Sequence, residues 1–162
     1  MTALRRFLVA YDSSDQANAA LDVAIGLARS ERASVVACYA VDIATEMGRI
    51  AASFHYVPAS ARKMLRDDAE AILAQACERA TGSRFKIETK FLDAPVISGI
   101  IAFAGKTRAD MIVVGSHGRS GLPRFILGSV AEGLMRHAKV PVLVVRMPSQ
   151  KKRSVAARRK SN

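Results

Sequence analysis

Asp110-Met-Ile-Val-Val-Gly115-Ser-His-Gly118-Arg-Ser-Gly-Leu-Pro-Arg-Phe-Ile-Leu-Gly128-Ser129-Val130-Ala-Glu132, followed after one short helical stretch by Pro141-Val-Leu-Val-Val-Arg146, decides the fold of this chain. Residues 110–115 are a uniformly apolar run bounded by an acid and a glycine, which fits a strand covered on both faces. Thirteen residues rich in Gly, Ser and Arg follow. A helix is expected from about Ser129 to Ala138, and Pro141 to Arg146 reads as a last strand. Strand, glycine-rich loop, helix and strand in that order are the unit from which parallel α/β sheets are built.

Working toward the N-terminus, the same alternation repeats. Leu4-Arg-Arg-Phe-Leu-Val-Ala-Tyr11 reads as a strand closed by Asp12. Ser13 and Gln16 have capping-box spacing, and a helix to about Ser30 carries Ala20, Leu21, Ala24, Leu27 and Ala28 on one stripe. Ala33 to Val41 is a second, nearly all-apolar strand; residues 42–57 read as an irregular connection. A long helix is expected over 59–80, stopped at Thr81-Gly82. Arg84 to Leu92 alternates polar and apolar, as a half-covered strand near a sheet edge does. Asp93-Ala-Pro95 opens the next helix, with Pro in its first turn. The order β-α-β-α-β-α-β-α-β predicts a single-domain five-stranded parallel sheet with helices on both faces, in order 3-2-1-4-5. In that order the winding reverses between strands 1 and 4, and ligands bind at the carboxyl ends of strands flanking such a point. Those ends are Asp12 and Gly115.

The glycines there are spaced G-x2-G-x9-G-S. Gly115 and Gly118 would let backbone approach a sugar or phosphate where a Cβ would clash. Gly128-Ser129 opens a helix whose first amides attract an anion, and Arg119 and Arg124 stand in the loop to neutralise charge. A plainer reading stays open: Ser129 and Glu132 have capping-box spacing, so the serine can simply cap its helix. No Gly-Lys-Ser/Thr follows a strand and the loop is not G-x-G-x-x-G, so Walker and dinucleotide fingerprints are both missing. A phosphate site without a P-loop lysine favours holding a nucleotide over hydrolysing it quickly.

These residues resemble the universal stress protein family: Asp110 through Leu122, Leu127-Gly-Ser-Val-Ala-Glu132, Pro141-Val-Leu-Val-Val145 and the opening Phe7-Leu-Val-Ala-Tyr-Asp-Ser-Ser14 all match it, over about residues 4–146. The resemblance implies a Rossmann-like 3-2-1-4-5 sheet of the adenine nucleotide alpha hydrolase kind, a cytoplasmic stress-related role and, in the family's nucleotide-binding branch, bound ATP, with ADP or AMP as alternatives and Mg2+ arriving with the triphosphate. It implies that Asp12 contacts the ribose or adenine region, with Tyr11 packing on the base or obstructing it, and that Val41 faces the adenine with its backbone. Gly115, Ser116, His117 and Gly118 would line the ribose and first phosphates with Arg119 beside them, and Gly128, Ser129 and Val130 would hold the outer phosphates. Family dimers pair through the last strand, so the resemblance implies a homodimer through Val142–Val145. Where the family often has glycine at the start of the third helix, this chain has Leu92-Asp93-Ala94-Pro95, and Asp93 is expected to cap that helix.

Composition narrows the alternatives. The net charge of +11 suggests an anionic partner, but six of the basic residues, with no acid, lie in 147–162. That leaves +5 over residues 1–146 and predicts one domain, 1–146, with a basic, disordered appendage. A nucleic-acid or anionic-surface role through that tail is one alternative to a nucleotide-dependent regulator; a slow ATPase or autokinase is another. Tyr11-Asp12-Ser13-Ser14 does not supply the Ser-Gly-Gly-x-Asp-Ser turn that adenylating pyrophosphatases of this topology carry. Cys38 and Cys77 have no His or Cys at metal-ligand spacing and read as buried thiols. Neither the N-terminal run nor Val96–Gly105 is long enough for a signal peptide or a membrane span, so a soluble cytoplasmic protein is expected.

Overall fold

The computed structural model describes residues 4–118 and 127–147. The elements run β1 (Arg6–Ala10), α1 (Asp15–Glu31), β2 (Ser34–Val41), α2 (Ile43–Phe54), α3 (Ala61–Gly82), β3 (Glu88–Asp93), α4 (Val96–Thr107), β4 (Met111–Gly115), α5 (Ser129–His137) and β5 (Val142–Val145). The five strands form one sheet in the order β3-β2-β1-β4-β5, and every neighbouring pair is parallel. The expected order is therefore the observed one.

Strand periodicity divides the core into two layers, because successive side chains point to opposite faces of a sheet. Phe7, Val9, Val35, Ala37 and Val113 pack with the buried face of α1 and with Ile72, Ala76 and Ala80 of α3. Leu8, Ala10, Val36, Cys38, Ile112 and Val114 pack with Ile100 and Ala104 of α4 and Ala131 and Leu134 of α5. Helices thus cover both faces, and this is why the central strands carry no polar alternation. The two edges differ. β3 has exposed Glu88, Thr89 and Lys90, whereas all four residues of β5 are partly buried and apolar.

Three local expectations are corrected. The first helix is capped by Ser14, whose hydroxyl accepts from Ala17 N, while Ser13 takes a left-handed conformation at φ 64°. Residues 42–57 are not irregular: α2 forms there, with the Asp42 carboxylate accepting from Thr45 N at 3.1 Å and the Thr45 hydroxyl donating to the same carboxylate at 2.8 Å. Two hydrogen bonds to its charged form hold the Asp42 carboxyl below the usual carboxylate range. Ile43 is the buried residue of this helix, so it lies on the body rather than in it. Asp93 caps α2 instead of the helix that follows it in sequence. Its Oδ1 accepts from Ile43 N at 3.1 Å, and Oδ2 pairs with Arg62 at 3.9 Å and Arg66 at 3.6 Å. The residues of 147–162 beyond Met147, which carry the basic cluster, lie outside the described residues.

Candidate functional site

At the carboxyl end of β1 the chain stays tied to β2, with Tyr11 N donating to Cys38 O at 2.9 Å. Asp12 then turns it: Oδ1 accepts from Ser14 N at 3.0 Å, the side-chain-to-backbone bond that favours aspartate at such turns. At the end of β4, Ser116 N donates to Val145 O at 2.8 Å, so the ladder with β5 runs one residue past the strand. Ser116 O then accepts from Gly128 N at 2.8 Å and draws the start of α5 onto the motif loop.

Between these ends lies a cavity of about 220 Å³. Ala10, Cys38 and Ala40 from the strands, Val96 and Ile100 from α4, and Ala131 from α5 give it an apolar lining. Tyr11, Asp12, Gly115, His117 and Gly118 line it from the β1 and β4 ends, and Gly128, Ser129 and Val130 from the start of α5. Sequence reasoning missed the apolar wall, because nothing in the order of residues says which alanines and valines end a strand at the switch point.

Two candidates stand apart from the lining. Val41 is not among the lining residues, and its carbonyl accepts from Ala94 N at 3.1 Å, holding β2 to the turn after β3; Cys38, Tyr39 and Ala40 are the β2 residues at the cavity. Ser116 is buried behind His117, at 3% exposure. Arg119 lies outside the described residues, as does Arg124. Tyr11 is tied into the core: its ring packs in the α1–α3 layer and its hydroxyl donates to Asn18 Oδ1 at 2.7 Å. Burial raises the Tyr11 phenol above its ordinary value. It is a fixed wall, not a swinging cover.

The motif glycines have separate reasons. A Cβ on Gly115 would sit 2.8 Å from the backbone carbon of Gln16, so this glycine serves the packing of β4 against the first turn of α1 where it borders the cavity. A Cβ on Gly118 would sit 2.7 Å from Asp12 Oδ2, so its lack of a side chain leaves room for that carboxylate. On Gly128 it would meet Ser116 O at 3.1 Å and His117 Cα at 3.2 Å.

The N-cap of α5 is Gly128, in extended conformation, and Ser129 is the first helical residue. The Ser129–Glu132 capping box therefore does not form. Glu132 instead reaches Arg136 at 2.9 Å, one turn along the helix. Glu132 N is bonded to Gly128 O at 2.9 Å, so the amides of Ser129, Val130 and Ala131 precede the first helical hydrogen bond and have no acceptor within the helix. The positive end of the helix dipole accordingly faces the cavity. Cys38 is wholly buried, and burial pushes its thiol up to about 12, so it acts as an apolar wall at neutral pH. Cys77 is only half-buried. Among the described residues no cluster of three or more His, Cys, Asp or Glu is placed to hold a metal ion, and no helix is long and apolar enough to cross a membrane.

Fold and site together define a doubly wound α/β protein with a cavity at its switch point. The chain belongs to the universal stress protein family, whose model matches residues 3–146. It is 33% identical over 147 residues to universal stress protein MJ0531 of Methanocaldococcus jannaschii, covering 90% of this chain and 84% of that one. Among solved structures, the protein MJ0577 superposes with a TM-score of 0.74 at 22% identity, covering 91% of this chain and 99% of that one, a likeness of fold. A universal stress protein solved in complex with cAMP superposes with a TM-score of 0.62 at 27% identity, covering 89% and 98%.

Proposed function

We propose that the cavity binds an adenine nucleotide, ATP in the first instance, and that occupancy rather than turnover is what the protein uses. The observation that carries this reading is convergence: the Asp12 carboxylate, the Gly118 gap beside it and the open amides of α5 all border one cavity. An apolar slot beside a carboxylate and an anion-attracting helix start suits a molecule with a flat base, a hydroxylated sugar and a phosphate. The 27% identical relative solved with cAMP supports the same ligand class. In this arrangement Asp12 accepts from sugar hydroxyls or the base amine, Val96 and Ile100 flank the base, and the amides of Ser129 and Val130 with the Ser129 hydroxyl donate to phosphate oxygens. At the end of β2, Cys38, Tyr39 and Ala40 rather than Val41 would border the ligand. Mg2+ would arrive on the triphosphate, held by phosphate oxygens rather than by a protein cluster, and would neutralise their charge.

Calorimetry on the full chain is expected to show saturable binding of ATP, one per chain, and adenine nucleotide is expected in acid extracts of the purified protein. No heat of binding at about 1 mM ATP would overturn the reading, since affinity weaker than that gives less than about 4 kcal/mol of binding free energy.

Self-association through β5 is part of the proposal. An apolar edge strand is a template for pairing, and its charged counterpart β3 is not. Val144→Lys is expected to convert a dimer to a monomer in sedimentation equilibrium; a wild-type protein that sediments as a monomer would refute it.

A further inference from the structure

The strands of a parallel sheet all begin at one end, and the helices leading into them finish there, opposite the cavity at the carboxyl ends. At that end an exposed cation precedes every strand. In sheet order these are Lys86 before β3, Arg32 before β2, Arg5 before β1, Arg108 before β4 and Lys139 before β5. Arg84 and Lys106 stand beside them, also exposed. None of these side chains is in an ion pair among the described residues. Hydrogen bonds hold the loops side by side. Ser34 N donates to Arg5 O at 2.8 Å, Asp110 N to Arg6 O at 2.9 Å and Ile112 N to Pro141 O at 3.0 Å, while the Arg29 guanidinium donates to the Ser83 carbonyl. The acids at this end are fewer. Asp110 turns its carboxylate to the backbone, accepting from Arg5 N at 2.7 Å and Arg6 N at 2.8 Å. That leaves Glu31, Glu88 and, a turn back in α3, Glu78 as the exposed ones.

Cations at helix ends have an ordinary use, because they complement the negative end of the helix dipole. Arg29 and Lys106 serve it from within the last turns of α1 and α4. The dipole does not explain where Arg32, Arg84 and Arg108 stand. These take left-handed backbone, at φ 55°, 53° and 51°; Ser13 and His55, which share that conformation, lie at the other end of the sheet. Left-handed backbone costs a non-glycine residue about 1 kcal/mol or more, and glycine is its usual occupant where a helix ends. At each of these three exits a strained position carries a guanidinium group.

The row indicates its partner. Four inter-strand spacings of about 4.8 Å make it about 19 Å long, a length over which one strand of a nucleic-acid duplex carries about five or six phosphates. Among the described residues no aromatic is exposed at this end. Phe54 and Tyr56 precede α3, at the opposite end, and Phe85 is partly buried with the Arg29 guanidinium 5.9 Å from its ring centre. Neither base stacking nor aromatic insertion into a bilayer is on offer, whereas charge pairing along a phosphate backbone is. We propose that this amino-end face docks a nucleic-acid duplex through its phosphates, without reading sequence. The surface is separate from the cavity, and its use does not depend on what the cavity binds.

The test is fluorescence anisotropy of a labelled DNA duplex with the full chain, repeated over a series of salt concentrations. The variant is Arg32→Gly/Arg84→Gly/Arg108→Gly, in which every substitution relieves left-handed strain, so its urea midpoint is expected at or above that of the wild type. It is expected to lose about tenfold or more in duplex affinity and to flatten the slope of log K against log salt by about 3, one for each phosphate contact removed. The same three substitutions are expected to act alike in a full-length chain whose basic residues beyond Met147 are changed to glutamine. Unchanged affinity and slope in the glycine variant would overturn the proposal. So would duplex binding that disappears when the basic residues beyond Met147 alone are replaced. Binding to phosphatidylserine vesicles without binding to the duplex would put an anionic bilayer in place of the nucleic acid and overturn it equally.

Discussion

Gly115→Val is expected to destabilise the protein by about 3 kcal/mol, lowering Tm by roughly 6–12 °C for a chain of this length. The new Cβ would stand 2.8 Å from both the backbone carbon and the Cβ of Gln16, and 3.0 Å from its carbonyl oxygen. Two are backbone atoms of the first turn of α1, which Ser14 caps, and the third is the Cβ fixed to that backbone, so none can swing aside as the end of a long side chain does. Either β4 slides or α1 lifts, and both move core that is fully buried, including Val113 and Ala20. Urea denaturation with an unchanged m value checks the figure, and a cost under about 1 kcal/mol would show that α1 yields easily. Gly26→Ala is the matching control. That glycine lies within α1 with nothing within 4 Å of its ideal Cβ, so the change is expected to gain about 0.5–1 kcal/mol.

Gly118→Val is expected to do the opposite: spare the fold and weaken nucleotide binding by about 10–100-fold, the equivalent of about 1–3 kcal/mol of overpacking. Its Cβ would stand 2.7 Å from Asp12 Oδ2. The carboxylate is a flexible end and moves, but moving it disturbs the bond from Ser14 N and removes the acceptor proposed for the sugar or base. Gly118 itself is exposed, so the folded state loses little packing. Calorimetric affinity with a urea midpoint within error of wild type would meet the expectation. Undiminished ATP affinity would mean that Asp12 does not contact the ligand, and a collapse of stability would mean that the glycine serves folding, as Gly115 does.

The contrast between these glycines marks how far the residue order could be read. G-x2-G-x9-G-S is legible as a pattern, but it assigns one purpose to positions that have different neighbours. Gly115 faces a helix backbone, Gly118 a carboxylate and Gly128 a peptide of its own loop. α2 was missed although Ile43, Met47, Ile50 and Phe54 recur at helical spacing and Asp42 precedes Thr45 as a cap. The signal was present, and the helix is unusual in burying so little of itself. Asp93 went astray for another reason: it lies just before α4 in sequence but beside the start of α2 in space.

Residue order is enough to specify the layered sheet and its switch point. Unbroken apolar strands alternating with helices admit few arrangements, and the Asp12 turn and glycine-rich loop fall at strand ends in the favoured one. Tertiary structure alone decided which atoms meet there. Val41 spends its carbonyl on Ala94 instead of lining the cavity, Tyr11 is pinned to Asn18, and His117 has a buried nitrogen without a partner beside a serine whose hydroxyl meets its other ring nitrogen. Periodicity records which face of an element is buried, whereas hydrogen-bond satisfaction depends on groups brought together from distant parts of the chain, and no local pattern encodes that.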